Sequence, residues 1–371
     1  MHVVMLSKAL VVGAYQTKAV ALAAEPDIDL TVIVPPYWRE GADRLPLERS
    51  HIEGYDLVAA PMALNGNYHL HFYPTLSRLL RRLRPDLCHI DEEPYNLATY
   101  LTLRAARAVG ARCVCFTWQN LHRRYPPPFC WLEQAVYRGA DTIIAGNHAA
   151  SQVLRAKGYG GPAPVIPQFG VDPDLFRPQT HPAQRPRDPA PFTIGFAGRL
   201  VEEKGLLVLA EALALLDGPW RLALYGDGPL RETLAARLAD GGLSERVTFH
   251  PRVASAAMPE VLAGLNAVVL PSLTRPHWKE QFGRVLIEAM ACGTPVVGSD
   301  SGEIPHVIGE GGLVVPEGDA ATLAAALARL RDEPGLAEAL GRAGRARVLA
   351  HYTQAQIAAQ TAAVYREVMA G

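Results

Sequence analysis

Short β-branched runs alternate with helical patterns from one end of this chain to the other, and this alternation limits its possible folds. A first series of strands is predicted at His2–Leu6, Leu30–Val34, Leu87–Ile90, Cys113–Phe116 and Thr142–Ala145. A second series is predicted at Thr193–Phe196, Arg221–Leu224, Val247–Phe249, Ala267–Leu270 and Pro295–Val297. Strands that alternate with helices form parallel sheets with helices on both faces. Two such series in 371 residues predict two doubly wound α/β domains.

A proline-rich segment separates the two series. Six prolines lie from Asp172 to Pro191, and proline at this density stops helices and central strands. We therefore expect a first domain over residues 1–180 and a second over residues 190–351, with the boundary near 180–190. A last helical segment, Tyr352–Met369, follows the second domain.

The net charge and the cysteine spacing bear on which ligands the chain can bind. The net charge of −1 provides no basic field for nucleic acid, so we expect none as a partner. The five cysteines show no paired metal-ligand spacing, which predicts reduced, mostly buried thiols and no metal site.

The first residues resemble a signal peptide only in part. Lys8, Gln16 and Lys18 interrupt the apolar run, so a strand, a loop around Gly13 and a helix are the better prediction. No stretch reaches the roughly 20 uninterrupted apolar residues of a membrane span.

The pattern of the basic stretch 76–84 fits two structures, an interfacial membrane helix and a surface helix that packs its leucines on a sheet. We favour the second. We expect a cytoplasmic protein whose membrane contact is at most peripheral.

The stretch from Glu280 to Val297 carries the most chemical information. Glu280 precedes the turn Phe282-Gly283, and seven residues separate it from Glu288, which lies in the helix predicted at Arg284–Ala291. Ionised carboxylates only accept hydrogen bonds and suit hydroxyl groups, whereas a helix N-terminus suits a phosphate. A ligand that offers both groups is a sugar nucleotide.

Two further turns lie at the carboxyl ends of predicted strands, where open α/β sheets bind ligands. Arg199 and Lys204 flank the loop between Gly198 and Gly205, and both side chains suit a phosphate. The turn at Gly226 lacks a Gly-x-Gly-x-x-Gly pattern, which makes a dinucleotide site a weak prediction.

In this order and spacing, the three segments resemble the retaining glycosyltransferases of family 4, whose GT-B fold has two Rossmann-like domains facing a central cleft. The Glu-x7-Glu pattern followed by Ala-Met-Ala-Cys-Gly-Thr-Pro-Val-Val carries most of the resemblance. The stretch from Val165 to Asp172, together with Phe176-Arg177-Pro178, is similar to the family's interdomain crossover. The resemblance implies that residues 352–371 pack back on the first domain.

The resemblance also implies roles in the second domain. Arg199 and Lys204 would hold the donor diphosphate beside Gly198 and Gly226, while Glu280, Gln281 and the amides of Phe282 and Gly283 would bind the donor sugar. Glu288 would bind the ribose, the backbone of Arg252 and Val253 would line the base, and the loop around Gly13 would close over the phosphates. We take Arg199, Lys204 and Glu280 as the catalytic residues, with no protein nucleophile.

We therefore expect a retaining, metal-independent transferase that uses a nucleoside-diphosphate sugar, preferably a UDP-sugar, and needs no other cofactor. Two cations and a helix end would stabilise the leaving diphosphate, and that phosphate would take the acceptor proton. The acceptor, whether a small molecule, a glycan or a lipid, stays open.

The first domain departs from the family at one place. Many members carry a histidine after the fourth strand, where this chain has Gln119 and Asn120, with His122 slightly later. An amide can bind a sugar hydroxyl but cannot act as a base, and His122 has a structural alternative. Glu92 and Glu93 follow the strand Leu87–Ile90 and are candidates for acceptor binding, or for capping the next helix.

Other functions on similar folds remain as alternatives. A sugar-nucleotide epimerase or a phosphorylase would need an acid-base pair, for which only Glu92, Glu93 and His122 are available. A nicotinamide dehydrogenase would have a glycine fingerprint after its first strand. A non-catalytic sugar-binding relative is disfavoured because the residues Arg199, Lys204, Glu280 and Glu288 are all present.

Overall fold

The computed structural model describes residues 1–41, 43–178 and 191–371. They divide into two compact units, one of Met1–Gly170 with Gln354–Gly371 and one of Val171–Thr353. The expected boundary at 180–190 lies outside the described residues, and the first unit ends earlier, at Gly170. Val171 belongs to the second unit because its amide donates to the carbonyl of Tyr352 at 2.9 Å.

The first unit is built on a parallel sheet. Its described strands are β1 (His2–Leu6), β2 (Asp29–Val34), β3 (Tyr37–Glu40), β4 (Asp43–Pro46), β5 (Asp56–Ala59), β6 (Leu87–Ile90), β7 (Arg112–Thr117) and β8 (Thr142–Ala145). Six of them form the sheet in the order β5-β2-β1-β6-β7-β8, and β3 and β4 form a separate antiparallel hairpin. Numbered by their sequence within the sheet, the six strands follow the Rossmann order 3-2-1-4-5-6.

Helices cover both faces of this sheet. They are α1 (Thr17–Ala23), α2 (Leu76–Leu83), α3 (Leu97–Arg107), α4 (Phe129–Gly139), α5 (His148–Ala156) and, from the other end of the chain, α13 (Gln354–Ala370). Along β1, Val4 and Leu6 join one core layer, whereas Val3 and Met5 join the other with Tyr365 of α13. Side chains of a strand alternate between faces, so a strand such as β1, which is apolar on both faces from Val3 to Leu6, belongs in the middle of a sheet.

Helix α2 settles the two interpretations of the basic stretch. Leu76 and Leu80 are buried in a core layer, and Leu79 and Leu83 pack against it. The prediction of an ordinary surface helix is therefore confirmed. Within the described ranges, no helix combines the length and the apolar character that a membrane crossing requires.

The second unit repeats the same plan. Its strands are β9 (Phe192–Ala197), β10 (Trp220–Tyr225), β11 (Val247–His250), β12 (Ala267–Leu270), β13 (Val296–Ser299) and β14 (Leu313–Val315). Its helices are α6 (Leu206–Ala214), α7 (Arg231–Asp240), α8 (Met258–Ala263), α9 (Arg284–Ala291), α10 (Ile304–Ile308), α11 (Ala320–Asp332) and α12 (Pro334–His351). The parallel order β11-β10-β9-β12-β13-β14 again corresponds to 3-2-1-4-5-6. This confirms the predicted α/β class with two Rossmann-like halves.

The strand order determines where each unit can bind a ligand. The order reverses between β1 and β6 in the first unit and between β9 and β12 in the second. Crevices at the carboxyl ends of such strand pairs are the usual ligand sites of open α/β sheets. The loops after these four strands contain Arg199, Lys204, Glu280, Glu92 and Glu93 from the predicted site.

Candidate active site

The loop after β9 packs closely against the loop after β12. Gly205 has φ +68°, and a Cβ there would lie 1.8 Å from the carbonyl oxygen of Pro271. The amide of Leu273 also donates to the carbonyl of Glu203 at 2.8 Å. Only glycine allows both this backbone conformation and this approach. As a result, Lys204 is held beside the segment that follows β12.

Lys204 and Glu280 form an ion pair at this point. Lys204 Nζ lies 2.6 Å from Glu280 Oε2, and Ser272 Oγ donates to the same oxygen at 2.8 Å. Both charged side chains are largely buried, with exposed fractions of 16% for Lys204 and 9% for Glu280. The structure thus brings together Lys204, which the sequence assigned to the diphosphate of the donor, and Glu280, which it assigned to the sugar of the same donor.

Arg199 differs from Lys204 in its surroundings. Its side chain is exposed and makes no ion pair or hydrogen bond with any of the described residues. The neighbouring glycines bring two loops together, since a Cβ on Gly226 would lie 2.0 Å from the carbonyl oxygen of Gly198. Arg199 therefore extends from a closely packed backbone and keeps its guanidinium available to a ligand.

The turn before α9 matches the sequence prediction. Gly283 is the N-cap of α9 in the left-handed conformation, with φ 80° and ψ 53°. Phe282 is buried and meets Tyr352 edge to face, with 5.8 Å between ring centroids. Gln281 is exposed. The helix N-terminus thus begins three residues after the buried carboxylate of Glu280.

Glu288 has a partner on its own helix. Arg284 Nε lies 2.7 Å from Glu288 Oε1, one turn earlier in α9. Burial raises the pKa of Glu288, and the Arg284 charge only partly offsets this. The sequence contained this signal, because an acid and a base four residues apart share one face of a helix.

The loop after β11 forms the other side of this sheet edge. Arg252 is exposed and Val253 is partly buried. The last residues of the neighbouring strands, Tyr225 and His250, stack with 4.6 Å between ring centroids and 11° between planes. The amide of Gly226 donates to the carbonyl of His250, so this stack lies next to the loop that carries Arg199.

In the first unit, acidic residues follow β6, and the first two are paired with lysines. Asp91 accepts bonds from Ser7 Oγ at 2.7 Å and Lys18 Nζ at 3.2 Å, and Glu92 is bonded to Lys8 Nζ. Burial opposes ionisation of both carboxyls, yet the adjacent lysine charges keep both pKa values below their usual range. Their charges are thus compensated within the unit.

Glu93 forms no ion pair with the described residues, and the charge of Lys8 lowers its pKa less than its own hydrogen bonds do. Its carboxyl accepts bonds from Thr117 Oγ1 at 2.6 Å and from the amide of Trp118 at 2.8 Å. Burial raises the pKa of Glu93 to about 7, and these two bonds only partly counter it. Of the two glutamates predicted for the acceptor, Glu93 is therefore the one with a carboxyl poised to titrate near neutral pH.

The remaining predicted residues of the first unit lie in different surroundings. Gln119 is buried, and its Nε2 group finds no hydrogen-bond partner in the described parts of the chain. Asn120 is also buried, whereas His122 is exposed. The amide of Gly13, expected to face a phosphate, donates to Glu48 Oε2 at 2.5 Å.

The comparisons with known proteins agree with this division. The family described as "Glycosyl transferase 4-like domain" matches residues 3–168, and the family "Glycosyl transferases group 1" matches residues 191–333. A "GDP-mannose-dependent alpha-(1-6)-phosphatidylinositol monomannoside mannosyltransferase" of Mycobacterium tuberculosis is 32% identical over 356 residues, spanning 89% of this chain and 88% of the relative. The chain belongs to the glycosyl transferase family.

Other family members match over shorter stretches. A "D-inositol 3-phosphate glycosyltransferase" of Streptomyces bingchenggensis is 33% identical over 261 residues, which span 64% of this chain and 55% of the relative. The match thus covers about half the length of that relative. Among solved structures, HepE of Anabaena in complex with UDP and glucose has a TM-score of 0.72 at 21% identity, covering 99% of this chain and 100% of the other. This similarity identifies the GT-B fold of the family member.

Sequence reasoning missed several residues of these two edges. Ser272 and Trp278 lie near Lys204 and Glu280, and Lys8 lies at Glu92. Ser272 could have been found, because it follows the strand Ala267–Leu270 almost directly. Lys8 could not, because its partner lies 84 residues away and is selected by the strand order.

Proposed function

We propose that this glycosyl transferase family member moves a sugar, with retention of anomeric configuration, from a nucleoside-diphosphate sugar to a hydroxyl acceptor. The observation that carries the proposal is the Lys204–Glu280–Ser272 cluster at the switch point of the second unit, together with the exposed Arg199 in the loop that carries Lys204. A cation, a carboxylate and a helix N-terminus within one loop region suit the phosphates and hydroxyls of such a donor.

Arg199 and Lys204 bind the donor diphosphate in this proposal. Arg199 offers a planar fork and Lys204 a compact charge, and both lie at loops after β9. When the glycosidic bond breaks, negative charge develops on the diphosphate, and fixed cations stabilise it without rearrangement. The leaving phosphate then takes the acceptor proton on the same face of the sugar. This arrangement does the work of a divalent cation, so we propose that transfer needs no metal.

Glu280 binds hydroxyls of the donor sugar, supported by amides of Gln281, Phe282 and Gly283. Its carboxylate has more than one acceptor site, so it can keep Lys204 while it accepts a bond from a sugar hydroxyl. Glu288 binds the ribose in this proposal. Its carboxyl is desolvated and has only a partly offsetting charge from Arg284, so two hydroxyl donors would stabilise its ionised form.

The nucleobase lies by the backbone of Arg252 and Val253, near the stacked rings of Tyr225 and His250. We favour a UDP-sugar as the donor. A fold relative is seen with UDP and glucose, whereas a sequence relative is named as GDP-mannose-dependent. The binding experiment therefore compares the two nucleobases first, as UDP and GDP.

The first unit binds the acceptor. Glu93 is the favoured contact, since Glu92 is already bonded to Lys8. The buried amide of Gln119 supplies a donor for a sugar hydroxyl, and Asn120 and His122 complete the candidate set. Glu48 would have to release the amide of Gly13 before that loop could contact a phosphate.

Thermal denaturation with UDP, GDP or NADH, each with EDTA and with Mg²⁺, tests the donor class. We expect UDP, or else GDP, to raise Tm equally in EDTA and in Mg²⁺, because a ligand that binds only the folded state stabilises it. Stabilisation by NADH alone would overturn the proposal. A mass-spectrometric screen for hydrolysis of sugar nucleotides then identifies the sugar.

A further inference from the structure

The loop between β12 and α9 contains a tight turn that carries Trp278. The amide of Arg275 donates to the carbonyl of Trp278 at 2.7 Å, and the amide of Trp278 donates back to Arg275 at 3.1 Å. Pro276 and His277 lie inside this reciprocal pair, and proline favours such a turn. The backbone position of Trp278 is thus determined locally.

The N-terminal part of the loop is fastened to neighbouring elements. The amide of Leu273 donates to the carbonyl of Glu203, the residue before Lys204. The amide of Thr274 donates to Glu317 Oε2 at 2.6 Å, and its hydroxyl lies 3.0 Å from Ser301 Oγ. The first bond holds this segment against the loop that carries Lys204, and the other two fasten it to the loops that follow β13 and β14.

Lys204 lies over the indole of Trp278. Its Nζ is 5.1 Å from the ring centroid, within the range of a cation–π contact, for which tryptophan is the best aromatic partner. The same ammonium is bonded to Glu280 Oε2. An ammonium has three N–H donors, so these two contacts leave donors for a further ligand.

We propose that Trp278 is a positioning residue that holds the Lys204 ammonium for the donor diphosphate; this inference rests on the proposed function. Glu280 and Trp278 act differently on Lys204. The carboxylate neutralises the charge of Lys204, whereas the indole attracts the ammonium without cancelling that charge. While Glu280 accepts bonds from both Lys204 and a sugar hydroxyl, the indole holds the Lys204 ammonium from a second side, and the remaining N–H donors of Lys204 stay available to the diphosphate.

The test compares Trp278→Leu, which removes the aromatic face, with Trp278→Phe, which keeps a weaker one. Trp131→Leu is the matched control, because Trp131 is 66% exposed on α4 of the first unit. Affinities for UDP and uridine are measured by calorimetry, with GDP and guanosine replacing them if the wild type binds GDP. The same Leu variant is also made in a Lys204→Ala background.

We expect Trp278→Leu to weaken UDP binding roughly three- to tenfold and to change uridine binding less than about twofold. Trp278→Phe should retain most of the UDP affinity, and Trp131→Leu all of it. In the Lys204→Ala background, Trp278→Leu should cause no further loss, because the indole acts through that ammonium.

If the wild type binds the diphosphate, any of three results would overturn the inference. Trp278→Leu could lower the affinities for UDP and for uridine equally, or Trp278→Phe could bind UDP as weakly as Trp278→Leu. Alternatively, Trp278→Leu could lower UDP affinity by the same factor in the Lys204→Ala background. A wild type that binds neither UDP nor GDP overturns the proposed function itself, and the role of Trp278 with it. The failure of the inference and the failure of the proposed function therefore give different results.

Discussion

Lys204 Nζ lies 2.6 Å from Glu280 Oε2, although the two residues are separated by 76 positions in the chain. Removing the lysine leaves a largely buried carboxylate with the Ser272 hydroxyl as its remaining partner in this trio, which is costly. We expect Lys204→Ala to lower the free energy of unfolding of the second unit by about 1–3 kcal/mol. Thermal denaturation measures this.

A second substitution isolates the cause. Glu280→Gln in the Lys204→Ala background should recover part of the lost Tm, because a neutral amide needs no cation. If the double variant is no more stable than Lys204→Ala, the ion pair is not what Lys204 contributes to stability.

Arg199→Ala should weaken ligand binding and leave the stability of the second unit nearly unchanged. Because the Arg199 side chain has no partner among the described residues, we expect stability to change by less than about 0.5 kcal/mol. Affinity for the nucleoside diphosphate should fall roughly 10- to 100-fold, since a charged hydrogen bond is lost, while nucleoside affinity stays. Calorimetry with both ligands checks this, with Arg342→Ala on the exposed face of α12 as control. Equal losses for nucleoside and diphosphate would remove Arg199 from the phosphate site.

Gly205 and Gly242 provide a matched pair of glycine substitutions. Their φ angles are +68° and +69°, but a Cβ on Gly205 would lie 1.8 Å from the carbonyl oxygen of Pro271, whereas a Cβ on Gly242 meets nothing within 4 Å. Gly242→Ala should cost about 1–2 kcal/mol for the left-handed backbone alone. Gly205→Ala should cost more than about 3 kcal/mol, because the backbone must move. Chemical denaturation compares them, and equal losses would contradict the close approach of the two loops.

Glu93 predicts a particular pH dependence of stability. Its pKa is raised to about 7 by burial, so between its ordinary value of 4.5 and 7 the unfolded chain releases a proton that the folded unit keeps. This contribution to stability is fully present below pH 4.5 and is lost as the pH rises to 7. Relative to the wild type, Glu93→Gln should therefore gain Tm as the pH increases from 5 to 8. A constant difference in Tm would show that Glu93 does not titrate in this range.

His89 predicts the reverse trend where α13 joins the first unit. Its Nδ1 is bonded to the hydroxyl of Tyr365, and burial, aided by the Lys18 charge, lowers the pKa of His89 to about 3. Below pH 6.5 the unfolded chain binds a proton at His89 that the folded unit does not bind. The contribution of His89 to the free energy of unfolding is therefore fully present above pH 6.5 and is lost on acidification. Between pH 7 and 5 the wild type should lose more Tm than His89→Phe. Parallel curves for the two proteins would contradict this assignment.

Local patterns were enough for much of the fold. The strands His2–Leu6, Leu87–Ile90 and Ala267–Leu270 were predicted with the bounds that the structure has, because buried parallel strands are nearly continuous apolar runs. The helix Arg284–Ala291 was also predicted with its observed bounds, since a glycine turn precedes it. The hairpin of β3 and β4 was missed, because its two strands are largely exposed and carry charges.

Some residue pairs of the candidate site are close in sequence, and others are brought together only by the fold. The pair Arg284 and Glu288 follows from a spacing of four residues on one helix, so the sequence alone contained it. The pairs Lys204 with Glu280 and Lys8 with Glu92 depend on which strands are neighbours in each sheet. No local pattern encodes that order, because it results from packing between distant segments. The sequence thus determined the residue types at the two sheet edges. The tertiary structure decided which of their charges form ion pairs, and among the described residues Arg199 and Glu93 form none.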